Sequence, residues 1–306
     1  MPDAVEWMAY NRQGGVPWHG KGTALEGVFT AEEGLVAAGL DFETLIKDAG
    51  YSDVFGNFVP VAGDHYTYRS DTGAILGRVG AKYTPLNNKD AFAWADGLVA
   101  DGGAHYETAG ALYEGKKTFM ALHFPEHVMV VGNDDLVKTY LVVANSHDGS
   151  EKLTAAVTGI RVVCANTLRA ALDSAKSMWK VRHTSGLQDR MAEARLALGM
   201  TIDYMKAFER VANEMNNVDI SSSALRIALE DVDWAPRHID KVIDLFDNAP
   251  NLEGVRGSLW AAWNAGVEQV QWERAPRTED AFLDTTLYYT KPTDRLFARL
   301  QAVGIN

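Results

Sequence analysis

A single cysteine, Cys164, is all the thiol chemistry this 306-residue chain contains. One cysteine rules out an internal disulfide framework and any multi-cysteine zinc site. No apolar run approaches the roughly 18–20 residues of a membrane span. The opening MPDAVEWMAYNRQGG lacks the basic-then-apolar layout of a secretory signal, so a cytoplasmic location without membrane attachment is expected. Repeats, low-complexity tracts and long linkers are missing as well. GxGxxG does not occur, and GKGTALEG lacks P-loop spacing, which leaves nucleotide hydrolysis unsupported. No HExxH pair exists, and His123 and His127 flank Pro125, so one helical face does not hold both. His19 and His183 approach His147 only if folding brings them there. Neither a metal nor a cofactor is expected.

What is present is enough apolar material for a large core: 47% hydrophobic residues with 10% aromatics exclude wholesale disorder. The net charge of −12 argues against a generic DNA-coating protein, but the charge is uneven. Residues 1–54 carry 3 basic against 9 acidic side chains, residues 55–182 carry 13 against 13, and residues 183–306 carry 13 against 19. The acidity belongs to the two ends, and the middle is neutral.

Local patterns place the elements. Thr30 with Glu33 three positions on forms a capping box for a helix whose apolar residues are Leu35, Val36 and Leu40. HYTYRSDTGAILGRVG predicts two strands around a Ser70–Gly73 turn. Asn87 or Asn88 caps a helix carrying Phe92, Trp94, Leu98 and Val99. Strands follow around His105–Leu112, Thr118–Phe124, Leu136–Ala144 and Leu153–Val163, with Pro125 closing the second. Asn166 and Thr167 are candidate caps of a helix running to about Met178. Cys164 falls at that strand-to-helix junction, where a small buried hydrophobe is its default role. Beyond Ser185 the spacing is helical: Leu187–Asn216, Ser221–Leu229, Pro236–Leu245, Val255–Gln271 and Pro292–Val303.

These elements predict an α+β fold: an antiparallel β-meander with packed helices, followed by a mainly helical C-terminal region. The boundary falls near residue 184, giving a mixed α/β core over 1–184 and a helical region over 185–306. Trp260 and Trp263, three apart on one helical face, read as core, with a subunit interface as the alternative.

Two features carry candidate chemistry. The first is cationic. Lys152, Arg161, Arg169, Lys176, Lys180 and Arg182 face only Asp173, and Lys116 and Lys117 occupy a hairpin turn in the preceding sheet. Arg161 ends a strand, while Arg169 and Lys176 lie seven apart on one helix face. Such groups track phosphates, and Trp179 between them can stack a base. The competing reading makes Trp179 core and the cations an ordinary solvated face. The second feature is the turn Asn145-Ser146-His147-Asp148-Gly149-Ser150. Asp148-Gly149 reads first as a hairpin turn, with Asp bonding nearby backbone and Gly taking positive φ. A ligand contact or catalysis through His147 and Asp148 are the alternatives. Adjacent residues rarely face one another as a triad requires, so no catalytic residue is assigned.

PWHGKG, LGRVGAKYTPLNNKDAF, ETAGALYEGKKTF, NSHDGS and RVVCANTL occur in this order over roughly residues 15–200. Together they resemble the phage/plasmid-like family of proteins, a domain-of-unknown-function family. That resemblance implies a mobile-element origin, a bacteriophage foremost, and supplies no catalytic residues. The order helix, β-meander, basic helix is also similar in architecture to single-strand annealing proteins of the Red-beta and RecT type. The expected function is therefore single-stranded DNA binding, with annealing during phage recombination or replication, by a homo-oligomer. The alternatives are a host-interaction or counter-defence protein that binds a host or phage protein, and a nucleic-acid-processing enzyme using the His147-Asp148 turn.

Overall fold

The computed structural model describes residues 8–12, 22–93, 95–96, 99, 103–161, 167–168, 178–184, 201–273 and 291–304. The chain divides into two compact units, neither continuous in sequence. Met1–His123, Leu141–Ala156 and Met178–Gly199 form the first; Phe124–Tyr140, Val157–Ser177 and Met200–Asn306 form the second.

The first unit begins with strands β1 (Met8–Asn11) and β2 (Thr23–Leu25) and helix α1 (Ala31–Ala37). A three-stranded antiparallel sheet follows, β3 (Thr44–Ser52), β4 (Phe58–Arg69) and β5 (Ile75–Gly80), in that order. Helix α2 (Asn88–Ala93) and strand β6 (His105–Leu112) come next. Three longer strands, β7 (Lys117–Val131), β8 (Asp135–Ser146) and β9 (Leu153–Arg161), carry the chain between the units. Two short strands, β10 (Thr167–Leu168) and β11 (Met178–Val181), both pair antiparallel with β9. The larger sheet has the order β10-β9-β8-β7-β6-β1-β2. Its β1–β2 pair is parallel, while β1–β6 and β6–β7 are antiparallel. The second unit carries helices α3 (Thr201–Asn216), α4 (Ser222–Asp231), α5 (Pro236–Asn248), α6 (Leu259–Glu268) and α7 (Lys291–Gly304). The protein is thus α+β, with antiparallel sheets and a helical C-terminal region, as its pattern predicts. No described helix is long and apolar enough to cross a membrane.

Local chemistry explains the first unit's turns. The Thr30 hydroxyl accepts from the Glu33 N–H while the Glu33 carboxylate accepts from the Thr30 N–H, closing the expected capping box. Leu35 and Leu40 are buried, but Val36 faces solvent, because it lies off the helix's inner stripe. The β4–β5 turn forms where Ser70–Gly73 was expected, with the Gly73 N–H donating to the Arg69 carbonyl. Arg69 is buried beneath it, bonded to Asp71 through Nε and Nη2 and lying 3.9 Å over the Phe42 ring. Gly115 takes φ +93°, and a Cβ there would sit 3.0 Å from the same guanidinium.

Several expected boundaries move. Pro125 does not end its strand: β6 begins at His105, opposite His123, so Pro125 falls where β7 has lost that neighbour and a missing N–H is tolerated. Thr167 does not cap a helix, since Thr167–Leu168 pair with Gly159 and Ile160, and Met178 opens a strand. The rest of the expected 166–178 helix, Cys164, and the expected 187–200 stretch lie outside the described residues. The helix expected from Val255 starts at Leu259, because Gly257 at φ +84° breaks the path and Ser258 caps the Ala261 N–H.

The second unit is organised around α6. Leu259 to Val267 are all buried, as in a helix enclosed by its neighbours. Phe208, Trp260, Trp263 and Phe297 interlock there with ring centroids 4.8–6.3 Å apart. Trp260 Nε1 donates to Asp135 Oδ2 at 2.7 Å, and Trp263 Nε1 to the Thr293 carbonyl at 3.0 Å. Both tryptophans are core, so the interface alternative fails for them. The β7–β8 turn is held by Asn213 of α3, whose Oδ1 accepts from the Gly132 N–H and whose Nδ2 donates to the Val130 carbonyl. Replacing Trp263 with Ala should cost about 3–5 kcal/mol of unfolding free energy, measured by urea denaturation.

Candidate functional site

The end of β8 delivers Asn145, Ser146 and His147 into the first unit's interior. Asn145 Nδ2 donates to the Leu86 carbonyl at 3.1 Å. His147 is 0% exposed, and every hydrogen-bonding group it has is engaged. Its N–H donates to the Lys116 carbonyl at 2.7 Å, and its carbonyl accepts from the Thr67 hydroxyl at 2.6 Å. On the ring, Nε2 lies 2.9 Å from Asn88 Oδ1 and Nδ1 lies 2.9 Å from the Thr44 hydroxyl. Asn88 Nδ2 donates to the Leu40 carbonyl, so its Oδ1 is the atom facing the imidazole, and it also accepts from the Thr118 hydroxyl. That fixes the tautomer: Nε2 carries the proton and Nδ1 accepts from Thr44. Burial pushes the imidazole down to about 3, helped by His183 and Arg69 and opposed by Asp148. A neutral, enclosed ring with both nitrogens occupied cannot exchange protons with a substrate. His147 is therefore a structural clasp, and the enzyme alternative loses the residue it was built on.

Asp148 makes the turn that its sequence predicts. Its Oδ1 accepts from the Ser146 hydroxyl, the Ser150 hydroxyl and the Ser150 N–H at 2.6, 2.6 and 2.9 Å. Burial works against its charge, but these donors, with Lys117, hold the carboxyl below its usual range. Gly149 takes φ +76°. Gly77 of β5 packs so closely that a Cβ there would fall 2.4 Å from the Asp148 Cα, so only glycine fits.

The outer side of this turn borders an open pocket of about 300 Å³. Gly80, Lys82 and Tyr83 line it from the segment after β5, Gly149 from the turn, and Arg182, His183 and Thr184 from the segment after β11. Tyr83 donates to the Ser146 carbonyl at 2.9 Å and stacks on His183 with centroids 5.2 Å apart. Burial, then Asp148, raises the Tyr83 phenol, which stays neutral. His183 is 5% exposed; burial pushes it down to about 4 against the opposing influence of the Thr84 backbone. Lys82 and Arg182 are exposed, and no carboxylate lines the pocket. The chemistry available is electrostatic: two mobile cations above a floor of neutral rings and glycine backbone, suited to an anion.

The cations expected to form a groove do not behave alike. Lys117 is 9% exposed, with Nζ 5.5 Å over the Tyr113 ring, so it is built into the hairpin and withdrawn from ligand. Lys116 is half-buried, and Lys152, Lys180 and Arg182 are exposed. Lys180 pairs with Thr154 and Val181 with Leu153, so one further step sets Arg182 opposite Lys152. Strand alternation turns Trp179 to the side of buried Val181, away from Lys180 and Arg182, which removes it as a stacking platform beside them. Arg161 lies in β9 but its side chain, like Arg169, Lys176 and His19, is outside the described residues. Lys82 and Tyr83 were not expected; GAKYTPLNN carries a cation and an aromatic, but nothing in it announces a meeting with residue 182. A separate cluster, His105, Glu107 and His123 on β6 and β7, was also unexpected.

The fold and this turn define an α+β protein whose polar clasp supports a cationic pocket. The chain belongs to the family described as a domain of unknown function, DUF932, which matches residues 75–297 and so spans β5 through most of α7. No curated protein and no solved structure matches it.

The two buried imidazoles make stability acid-sensitive. Both sit below the ordinary 6.5 in the folded protein, at about 3 and 4, so the unfolded chain binds more protons once pH falls under 6.5. Their contribution is intact above 6.5 and is lost progressively as pH falls toward those values. Urea titrations between about pH 7.5 and 4.5 should show this decline. His147→Gln should flatten it and cost about 2–4 kcal/mol at neutral pH, since buried partners lose their bonds.

Proposed function

We propose that this protein binds single-stranded DNA without enzymatic chemistry, as the product of a mobile element acting in the host cytoplasm. The observation that carries the reading is the convergence of Lys82 and Arg182 on one carboxylate-free pocket. Exposed Lys152 and Lys180 on neighbouring strand positions extend the positive surface. Phosphates are the matching ligand, and the acidic remainder of the chain discourages indiscriminate attachment. Annealing adds a requirement for several copies. An apolar tip on the β3–β4 hairpin supports self-association: Val54 is 93% and Phe55 86% exposed, with Tyr51 and Phe58 also exposed beside them.

Fluorescence anisotropy with labelled oligo-dT at about 50 mM salt should show binding that weakens steeply as salt rises. The double variant Lys82→Glu, Arg182→Glu should weaken it at least about tenfold and make the log–log salt slope shallower by about 1–2. A wild-type protein that binds no oligonucleotide at that salt removes the proposal. Light scattering coupled to size exclusion should find more than one copy per particle, and Phe55→Asp should return the protein to monomer.

A further inference from the structure

We propose that His105, Glu107 and His123 hold one divalent transition-metal ion of the zinc class. The sites differ in every residue, so this inference stands or falls independently of DNA binding. His105 and His123 are direct partners across the β6–β7 pair, which turns both imidazoles to the same face. Glu107, two residues on from His105, shares that face by strand alternation. The register shifts between Tyr106 and Thr108, leaving Glu107 as the extra residue of a bulge, a device that re-aims a side chain. The ladder thus departs from regularity at the residue that completes the set.

The geometry suits coordination. One donor atom from each of the three residues can be chosen so that all lie within 4.8 Å of one another. His123 Nδ1 and Glu107 Oε2 are 3.4 Å apart, longer than a good hydrogen bond. Two ligands of a tetrahedral zinc ion, with bonds of about 2.0–2.2 Å, are separated by about 3.4 Å. The His105 and His123 rings meet edge to face, with centroids 5.2 Å apart, so only a small closure brings the third donor in. Two imidazoles with one carboxylate favour zinc and its transition-metal neighbours over magnesium or calcium, which take oxygen ligands. His123 is buried and His105 half-exposed, so the site is sheltered yet reachable from solvent. The described residues supply three ligands, which leaves one position of a tetrahedral ion for water.

The test uses the full chain without a histidine tag, stripped with chelator and titrated with Co²⁺ alone. Expected is one equivalent of Co²⁺ with the visible d–d absorption of a four-coordinate ion, displaced by Zn²⁺, and a melting temperature raised by Zn²⁺. His105→Gln, chosen because that side chain is half-exposed, should weaken binding at least about 100-fold, since losing only an outer-shell partner already costs 10–100-fold. Glu107→Gln should do the same. A folded wild-type protein that leaves Co²⁺ six-coordinate and its melting unmoved by Zn²⁺ overturns the proposal, leaving an ordinary ion pair. Undiminished binding in both variants overturns it equally, by placing the ion elsewhere.

Discussion

The neutral imidazole of His147 is the constraint on which the first unit's arrangement depends. One side chain and its own peptide group tie together the start of β3, the middle of β4, the first turn of α2 and the residue before β7. A buried polar group of this kind is stabilising only while every bond is made, because any orphaned donor or acceptor keeps its full desolvation cost. Thr44, Thr67, Asn88 and Thr118 are therefore as much part of the clasp as the histidine. Their small, stiff side chains suit the task, since little rotamer freedom is lost when they are fixed.

The same six-residue turn faces two environments. Its inner half closes the clasp; its outer half, through Gly149 and the Ser146 carbonyl, supports Tyr83 and borders the cationic pocket. Rigidity inside gives the pocket a fixed floor, while exposed Lys82 and Arg182 keep the conformational freedom that phosphate contacts tolerate. Gly77 matters because it lets β5 approach that floor at backbone distance. This division of labour explains why a motif composed of catalytic residue types is not itself catalytic.

The second unit achieves its order by different means. An aromatic cluster around α6 supplies the apolar burial, and the polar edges of its two tryptophans are matched to Asp135 and the Thr293 carbonyl. Asn213 serves the β7–β8 turn as a surrogate strand, offering one acceptor and one donor where the ladder ends. Both units thus solve the same problem, satisfying backbone and side-chain polarity within an apolar interior.

By itself, the sequence determined what depends on neighbours along the chain. The Thr30–Glu33 capping box, the Ser70–Gly73 turn, the Asp148-Gly149 turn, the strand at His105–Leu112 and the start of α5 at Pro236 are all local chemistry, and all are where the pattern put them. Tertiary structure decided everything that depends on strand partners. Whether Pro125 ends a strand depends on where β6 stops; whether Lys117 meets solvent depends on what covers it; which face Trp179 takes depends on its pairing with β9. Lys82 meets Arg182, and His105 and Glu107 meet His123, only because backbone hydrogen bonds bring distant segments into register. Such pairing is a property of two segments at once, and a pattern read along one of them does not contain it.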